Sequence, residues 1–257
     1  MEDGVTHSIQ AADSPKREPK WPSRSDQITS KLRSAILAGH YAAGTRLPPE
    51  RELAEQLQVG RSTVREALQR LEALGMLRIR HGEGVTVLPL SEANIGLLPH
   101  LIRREDRLDV GLVSQLLDVQ EALLSAAARM AVENGRPDQV ERACALLERM
   151  IDPAIGEVDY FECHSELVAI MTAASRNLVL RLVRKGLWTL VFHESDAVGR
   201  RLRPPATVLV PLVKDLEVAI RERDGHGAQE ATRCLVRAHA KYILEGLAPQ
   251  AAADGLI

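Results

Sequence analysis

Within five residues, from 61 to 65, the sequence gathers Arg61, Ser62, Thr63 and Arg65 at the start of a helical pattern. Guanidinium forks and short hydroxyls are donors suited to phosphate oxygens and base edges, and the first turn of a helix adds backbone N–H groups that no helical partner uses. The surrounding stretch, "PPERELAEQLQVGRSTVREALQRLEALG" from Pro48 to Gly75, reads as a short helix, a break at "QVG" and a longer helix. A short turn after a short helix fixes the next helix at a steep angle, so its polar N-terminus projects and can enter a major groove. The plain structural alternative is that Ser62 or Thr63 only caps the helix and the arginines are solvated, although the two roles are compatible. Elsewhere Asp159, Cys163 and His164 stand close in sequence, which raises a thiol nucleophile beside a base. Neighbours on a helix point about 100 degrees apart, so Cys163 and His164 do not face each other. With no glycine-rich phosphate loop and no placeable pair of carboxylates, no enzyme is expected.

The elements that must hold the 61–65 cluster are legible around it. Pro49 and Glu50 suit the first turn of a helix running to about Leu57, because a proline lacks only an N–H that has no helical partner there and a carboxylate favours the positive end. Val64, Ala67, Leu68, Leu71 and Leu74 form one stripe of the longer helix, which should end at Gly75. Upstream, "SDQITSKLRSAILAG" places Ile28, Leu32, Ala35 and Ile36 at helical spacing, with Gly39 as its stop, and "HYAAGTRLPPE" is expected as a connector. Downstream, Leu77 and Ile79 alternate with Arg78 and Arg80, and Val85 and Val87 follow across "HGEG", the pattern of two short strands and a glycine turn. Gly82 and Gly84 permit a close backbone approach at that tip. Three helices and a hairpin make a winged helix-turn-helix.

The rest of the chain bounds the problem. A length of 257 residues at 45% hydrophobic composition suits two domains. A net charge of -2 requires any nucleic-acid contact to come from a local patch. Cys144, Cys163 and Cys234 are odd in number with no CxxC pair, as expected of reduced core thiols in a cytoplasm. Residues 1–24, with Pro15, Pro19 and Pro22, read as a disordered tail without a signal-peptide run, and no later segment suits a bilayer, so a soluble cytoplasmic protein without membrane contact is expected. Residues 89–98 read as a linker, 99–248 as an all-helical domain and 249–257 as a tail. In that domain Leu112, Leu116, Val119, Leu123, Ala127 and Met130 make one face, and Val140, Cys144, Leu147 and Met150 another. "NLVLRLVRKGLWTLVF" and "ATVLVPLVKDLEVAI" look like central helices of a bundle, with Pro211 expected to kink or restart the second. The fold class is mainly α: a winged helix-turn-helix at residues 25–88, then a helical bundle.

The segment "GTRLPPERELAEQLQVGRSTVREALQRLEALGMLRIRHGEGVTV" resembles the N-terminal domain of GntR-type bacterial transcription regulators. "LVSQLLDVQEALLSAAARMAVENGRPDQV" extends the similarity toward the FadR-like branch. The resemblance implies that Arg51, Arg61, Ser62, Thr63 and Arg65 touch DNA and that His81 and Gly82 at the wing tip reach the minor groove. Gly60 departs from the family's usual Ser or Thr before the recognition helix. Many relatives hold a divalent metal through an Asp, a His four residues on and two later His residues; the matching positions here are His164, Val168, Val213 and His239. Where relatives often place an arginine after "LLDV", this chain has Gln120. The resemblance therefore implies a homodimeric, ligand-responsive repressor on a pseudo-palindromic double-stranded DNA operator. It assigns an effector site around Gln120, His164, Val168, Val213 and His239, with no cofactor. The two valines favour an apolar effector such as a fatty acyl-CoA. A small organic acid clamped by a divalent metal on His164 and His239, with Asp159, Glu162 or His193 assisting, is the alternative, and an architectural DNA-binding protein without a ligand is a third.

Overall fold

The computed structural model describes residues 23–104, 107–192 and 203–253. The chain divides after Ile95 into two compact units. Most of the tail expected at 1–24, the end of that expected at 249–257, and His193 lie outside the described residues.

The first unit begins with α1 (Arg24–Leu37), α2 (Glu50–Leu57) and α3 (Arg61–Ala73), followed by β1 (Leu77–Arg80) and β2 (Gly84–Val87). Ser23 starts α1 through a capping box: its hydroxyl accepts from the Asp26 N–H at 3.1 Å, and the Asp26 carboxylate accepts from the Ser23 N–H at 2.9 Å. The Ser23 hydroxyl also donates to that carboxylate at 2.7 Å; this bond, the Ser23 N–H and the Arg70 guanidinium of α3 hold the Asp26 carboxyl down to about 2, and Arg70 ties α1 to α3. Gly39 takes φ +81 just beyond the end of α1, as expected of a helix stop. On α3 the inward residues Val64, Ala67, Leu68 and Leu71 are all 0% exposed. The expected connector contributes more than a connection. The Leu47 N–H donates to the Val85 carbonyl at 2.9 Å and the Val87 N–H to the Thr45 carbonyl at 2.9 Å, so residues 45–47 extend the β1–β2 ladder by another edge.

The turn out of α3 is sterically fixed. Gly75 has φ +74, and a Cβ there would lie 2.6 Å from the Glu92 carbonyl oxygen and 3.0 Å from the Ala93 Cα. Residues 92–94 pack back on this end, the Asn94 N–H donating to the Leu74 carbonyl at 3.1 Å and Glu92 pairing with Arg78 at 2.9 Å. The first half of the expected 89–98 linker is thus held against the winged unit.

The second unit contains α4 (Leu98–Ile102), α5 (Val110–Asn134), α6 (Pro137–Met150), α7 (Glu157–Ala174), α8 (Leu178–Phe192), α9 (Ala206–Arg221) and α10 (Gly225–Ala253). α5, the longest partner of α10, packs along it, while α9 bridges α10 and α6. Leu147, Met150, Leu209, Val213 and Ile220 lie at the centre of the main core. Three local expectations are corrected. α5 buries Val113, Leu117, Leu124 and Ala128 beside the expected stripe, whereas Val119 is 49% exposed, because this helix packs on more than one side. Of the expected kink or restart at Pro211, the restart does not occur: α9 runs through it, since an exposed proline in the second turn removes only one intrahelical bond. Cys144 and Cys163 are buried, but Cys234 is exposed.

Gly75→Ala is expected to destabilise the first unit by about 1–3 kcal/mol, because both the positive φ and the backbone contact oppose a methyl group. Hydrogen exchange should show protection falling across α3 while that of α10 is unchanged.

Candidate nucleic-acid interface and ligand recess

α3 starts without a side-chain cap. Gly60 is its N-cap, and the Thr63 and Val64 N–H groups donate to the Gly60 carbonyl at 3.0 and 3.2 Å. Ser62 and Thr63 therefore do not play the capping role weighed from the sequence. Ser62 is exposed beside Arg61, and Thr63 is half-buried. The preceding turn is set by Gln58, whose left-handed conformation at φ 54 closes α2. A Cβ on Gly60 would meet the Ser62 hydroxyl at 3.6 Å, an ordinary contact, so the local fold tolerates a larger residue there.

Arg51, Arg61 and Arg65 of this surface are unequally engaged. Arg65 is gripped by Glu50 of α2, with Nε 3.1 Å from Oε1 and Nη2 2.8 Å from Oε2. Arg51 meets Glu55 only at 3.8 Å along α2, an exposed pair of small energetic weight. Arg61 is exposed at the N-terminal end of α3. The hairpin brings Arg80 opposite Gly84 and leaves His81, Gly82 and Glu83 as its turn. Gly82 has φ +78 with open space around its α-carbon, and His81 is exposed beside it. Arg61, Ser62 and Arg65 thus share the outer side of one helix, and His81 and Gly82 share one hairpin tip. Sequence reasoning missed Glu50 as the partner of Arg65, fifteen residues away.

In the second unit the five effector candidates separate. Gln120 and Val168 line a recess of about 360 Å³, its open mouth included. α5 contributes Leu116, Leu123 and Leu124 beside Gln120, and α8 adds Arg184 and Leu187. Val213 is not on that wall; it is 0% exposed in the core. His164 and His239 lie in a stack with Tyr160. The His164 and His239 ring centroids are 5.1 Å apart, and Tyr160 and His239 are nearly parallel at 6.1 Å. The His239 Nδ1 is 2.8 Å from the Leu235 carbonyl, so that nitrogen carries the proton and donates. Its Nε2 then accepts from the Tyr160 hydroxyl at 2.6 Å. Arg203, unnoticed in the sequence, lies 4.6 Å over the Tyr160 ring and donates to the carbonyls of Ile155 and Met150.

This set does not fit a divalent metal. The lone pair of His239 Nε2 is already used by Tyr160, Val213 offers no donor, and the described residues contain no group of three His, Cys, Asp or Glu able to hold an ion. Although part of His164 reaches the surface, loss of hydration pushes its imidazole down to about 3, with the His239 ring adding to the shift. Burial lowers His239 as well, against the opposing bond to Leu235.

These units define a winged helix-turn-helix protein with an appended helical domain, whose expected all-α make-up is interrupted only, among the described residues, by the short antiparallel pair Arg103–Arg104 and Arg107–Leu108. The chain belongs to the gntR family of bacterial regulatory proteins: residues 24–87 match that family and residues 115–238 match the FCD domain. Both are regulatory domains and neither is an enzyme family. The chain is 47% identical over 210 residues to the Uxu operon transcriptional regulator of Escherichia coli, covering 73% of this chain and 77% of that protein. It is 31% identical to the fatty acid metabolism regulator protein of Serratia proteamaculans, over 65% of this chain and 71% of that protein. An uncharacterized HTH-type transcriptional regulator of Mycobacterium tuberculosis is 35% identical over 48% of this chain; the chain spans about half the length of such relatives, 50% in that case. A solved Listeria monocytogenes structure, Lar, described as controlling expression of the agr system, shares the fold with a TM-score of 0.50 and 17% identity, over 88% of this chain and 99% of that one. No helix among the described residues is long and apolar enough to cross a membrane.

The neutral histidine stack has a pH signature. In the unfolded chain His164 protonates below its ordinary value of 6.5, whereas in the fold it stays neutral to about 3, so the unfolded state binds more protons as pH falls through this window. Stability is full above about pH 6.5 and is lost below it, by up to ~1.4 kcal/mol per pH unit for each such histidine. Urea unfolding of the second unit at several pH values is expected to show this slope. His164→Gln should reduce it by about one proton.

Proposed function

We propose that this chain is a homodimeric, ligand-responsive DNA-binding regulator, a repressor that leaves a pseudo-palindromic operator when an apolar metabolite fills the recess of its second unit. The observation that carries the reading is the open N-terminus of α3. Its backbone donors are not closed by a side-chain cap, and Arg61, Ser62 and Arg65 stand beside them on an exposed surface. Arg65, held by Glu50, is poised to present a fork of fixed direction to a base edge, and Arg61 and Arg51 to meet backbone phosphates. Thr63, half-buried, supplies a hydroxyl at the same end. His81 and Gly82 occupy a tip slim enough to approach the minor groove, where a Gly82 side chain would be opposed by the positive φ.

Pairing of two chains has its own support. Leu178, Val179, Leu182 and Val183 form a stripe on α8, and Val179 is 70% exposed. An exposed apolar stripe of this kind suits pairing about a two-fold axis, which would place two recognition helices on two half-sites. The recess supports a sensor over an architectural protein, since a purely architectural role needs no such space. A metal-clamped organic acid is the less favoured reading, because His239 is committed to Tyr160 and the Val168 and Val213 positions carry no donor. We therefore assign no cofactor. Of the apolar effectors considered, a fatty acyl-CoA among them, it is the acyl body that matches the leucine walls.

Arg61→Ala and Arg65→Ala are each expected to weaken operator binding by about 1–3 kcal/mol with the dimer intact, Arg65→Ala also relaxing discrimination among operator variants. Fluorescence anisotropy on a bound promoter fragment measures both, and unchanged affinity in the two variants would remove α3 as the reading helix. Metal analysis of the purified protein completes the test. One equivalent of zinc, nickel or manganese, lost together with ligand response, would establish the clamped-acid alternative instead.

A further inference from the structure

The recess carries an electrostatic feature that leucine walls do not explain. α5 lays Leu116, Gln120 and Leu123 along one side, Val168 of α7 closes another, and Arg184 with Leu187, one turn apart on α8, completes the enclosure. Arg184 has a buried Nε without a hydrogen-bond partner among the described residues. Loss of hydration lowers its pKa, and among the described residues no carboxylate is paired with it to offset that cost. A guanidinium donor left unsatisfied in an apolar setting is unfavourable, and it becomes favourable once an anion completes the pair.

We propose that Arg184 is the anchor of a carboxylate subsite, and that the effector is a free monocarboxylic acid with an apolar body rather than a thioester or a polyacid. The fork of Arg184 takes the two carboxylate oxygens, Gln120 supplies an amide donor from the facing helix, and the leucines and Val168 cover the body. A single cation among apolar walls matches one negative charge. A tricarboxylate would leave further charges against leucine, and a thioester carbonyl offers no charge to the guanidinium. Much of the recess, about 360 Å³ with its open mouth included, is open to the surface, so a carboxylate anchored at Arg184 leaves its body only partly covered and no enclosed room remains for a nucleotide. In this chain Arg184 on α8 thus supplies the positive charge that Gln120 does not. The inference deepens the proposed effector function and rests on it for biological meaning, but its chemistry is testable alone.

The test is calorimetric titration of the full-length protein with decanoate, benzoate, decanol and decanoyl-CoA near neutral pH, followed by Arg184→Met and Arg184→Lys. Wild-type protein is expected to bind one of the acids at least about tenfold more tightly than decanol or decanoyl-CoA, the scale of a charge-assisted bond. The better of the two acids identifies an aliphatic or an aromatic body. Arg184→Met should erase that preference without weakening decanol binding, and Arg184→Lys should restore part of it. Thermal unfolding of Arg184→Met should stay at or above wild type, because an unpaired buried donor has been removed. Equal binding of decanol and decanoate by the wild type, tighter binding of decanoyl-CoA, or acid binding unaffected by Arg184→Met would overturn the site. Arg184-dependent acid binding that leaves operator affinity unchanged would uphold the site and refute the regulatory reading. Release of the operator by an acid whose binding ignores Arg184 would do the reverse.

Discussion

α3 has to be two things at once. Its inner face, Val64, Ala67, Leu68 and Leu71, is the fully buried centre of the first unit, and a helix so anchored cannot roll without exposing all four side chains. Every other direction on the helix is thereby fixed. Arg61, Ser62 and Arg65 point outward because the remaining side of the helix is taken, and the strands of the hairpin are placed by Glu72, whose carboxylate accepts from the Ile79 N–H at 2.7 Å. The packed α1, the Glu50 carboxylate and the close approach of residues 92–93 to Gly75 all act on this one helix, so its orientation is over-determined.

The second unit separates two kinds of polar group that resemble each other in sequence. Tyr160, His239 and Arg203 engage one another or the backbone, with the His164 ring stacked beside them, and leave the His239 nitrogens little to offer a ligand. Arg184 is half-buried, with a buried Nε that has no such partner among the described residues, and it lines the recess. Binding chemistry belongs with the group whose bonds are incomplete, which is why the recess and not the histidine stack carries the effector reading.

The legibility of these features followed their range. α2, the turn, α3 and the hairpin were readable because their signals are local: an apolar stripe of period 3.6, a glycine stop at Gly75 and two alternating runs across "HGEG". Pairing of residues 45–47 with β2 was not, since nothing in "AAGTRLPP" names a strand partner some forty residues away. Gln120 and Val168 reached the recess, while Val213 entered the core and the two histidines joined Tyr160. That division depends on which side of each helix meets its neighbours, and a helix such as α5, buried on more than one side, carries no single stripe from which to read it. Arg184 escaped notice for the related reason that an arginine in an apolar run looks like a surface residue until a neighbouring helix covers part of it.

The Glu50–Arg65 pair has a consequence for the ionic strength at which such a surface works. A lone arginine reaching DNA replaces small cations condensed on the duplex, and their release into bulk solution makes the equilibrium steeply dependent on salt. Arg65 arrives with a protein carboxylate already within 2.8 Å. The glutamate stays attached to the same chain, so part of the positive charge brought to the duplex is compensated internally and displaces fewer mobile ions. In the proposed DNA-bound state, the count of arginines on this face would therefore overstate the number of cations set free, and the response to the salinity of the surroundings would be muted.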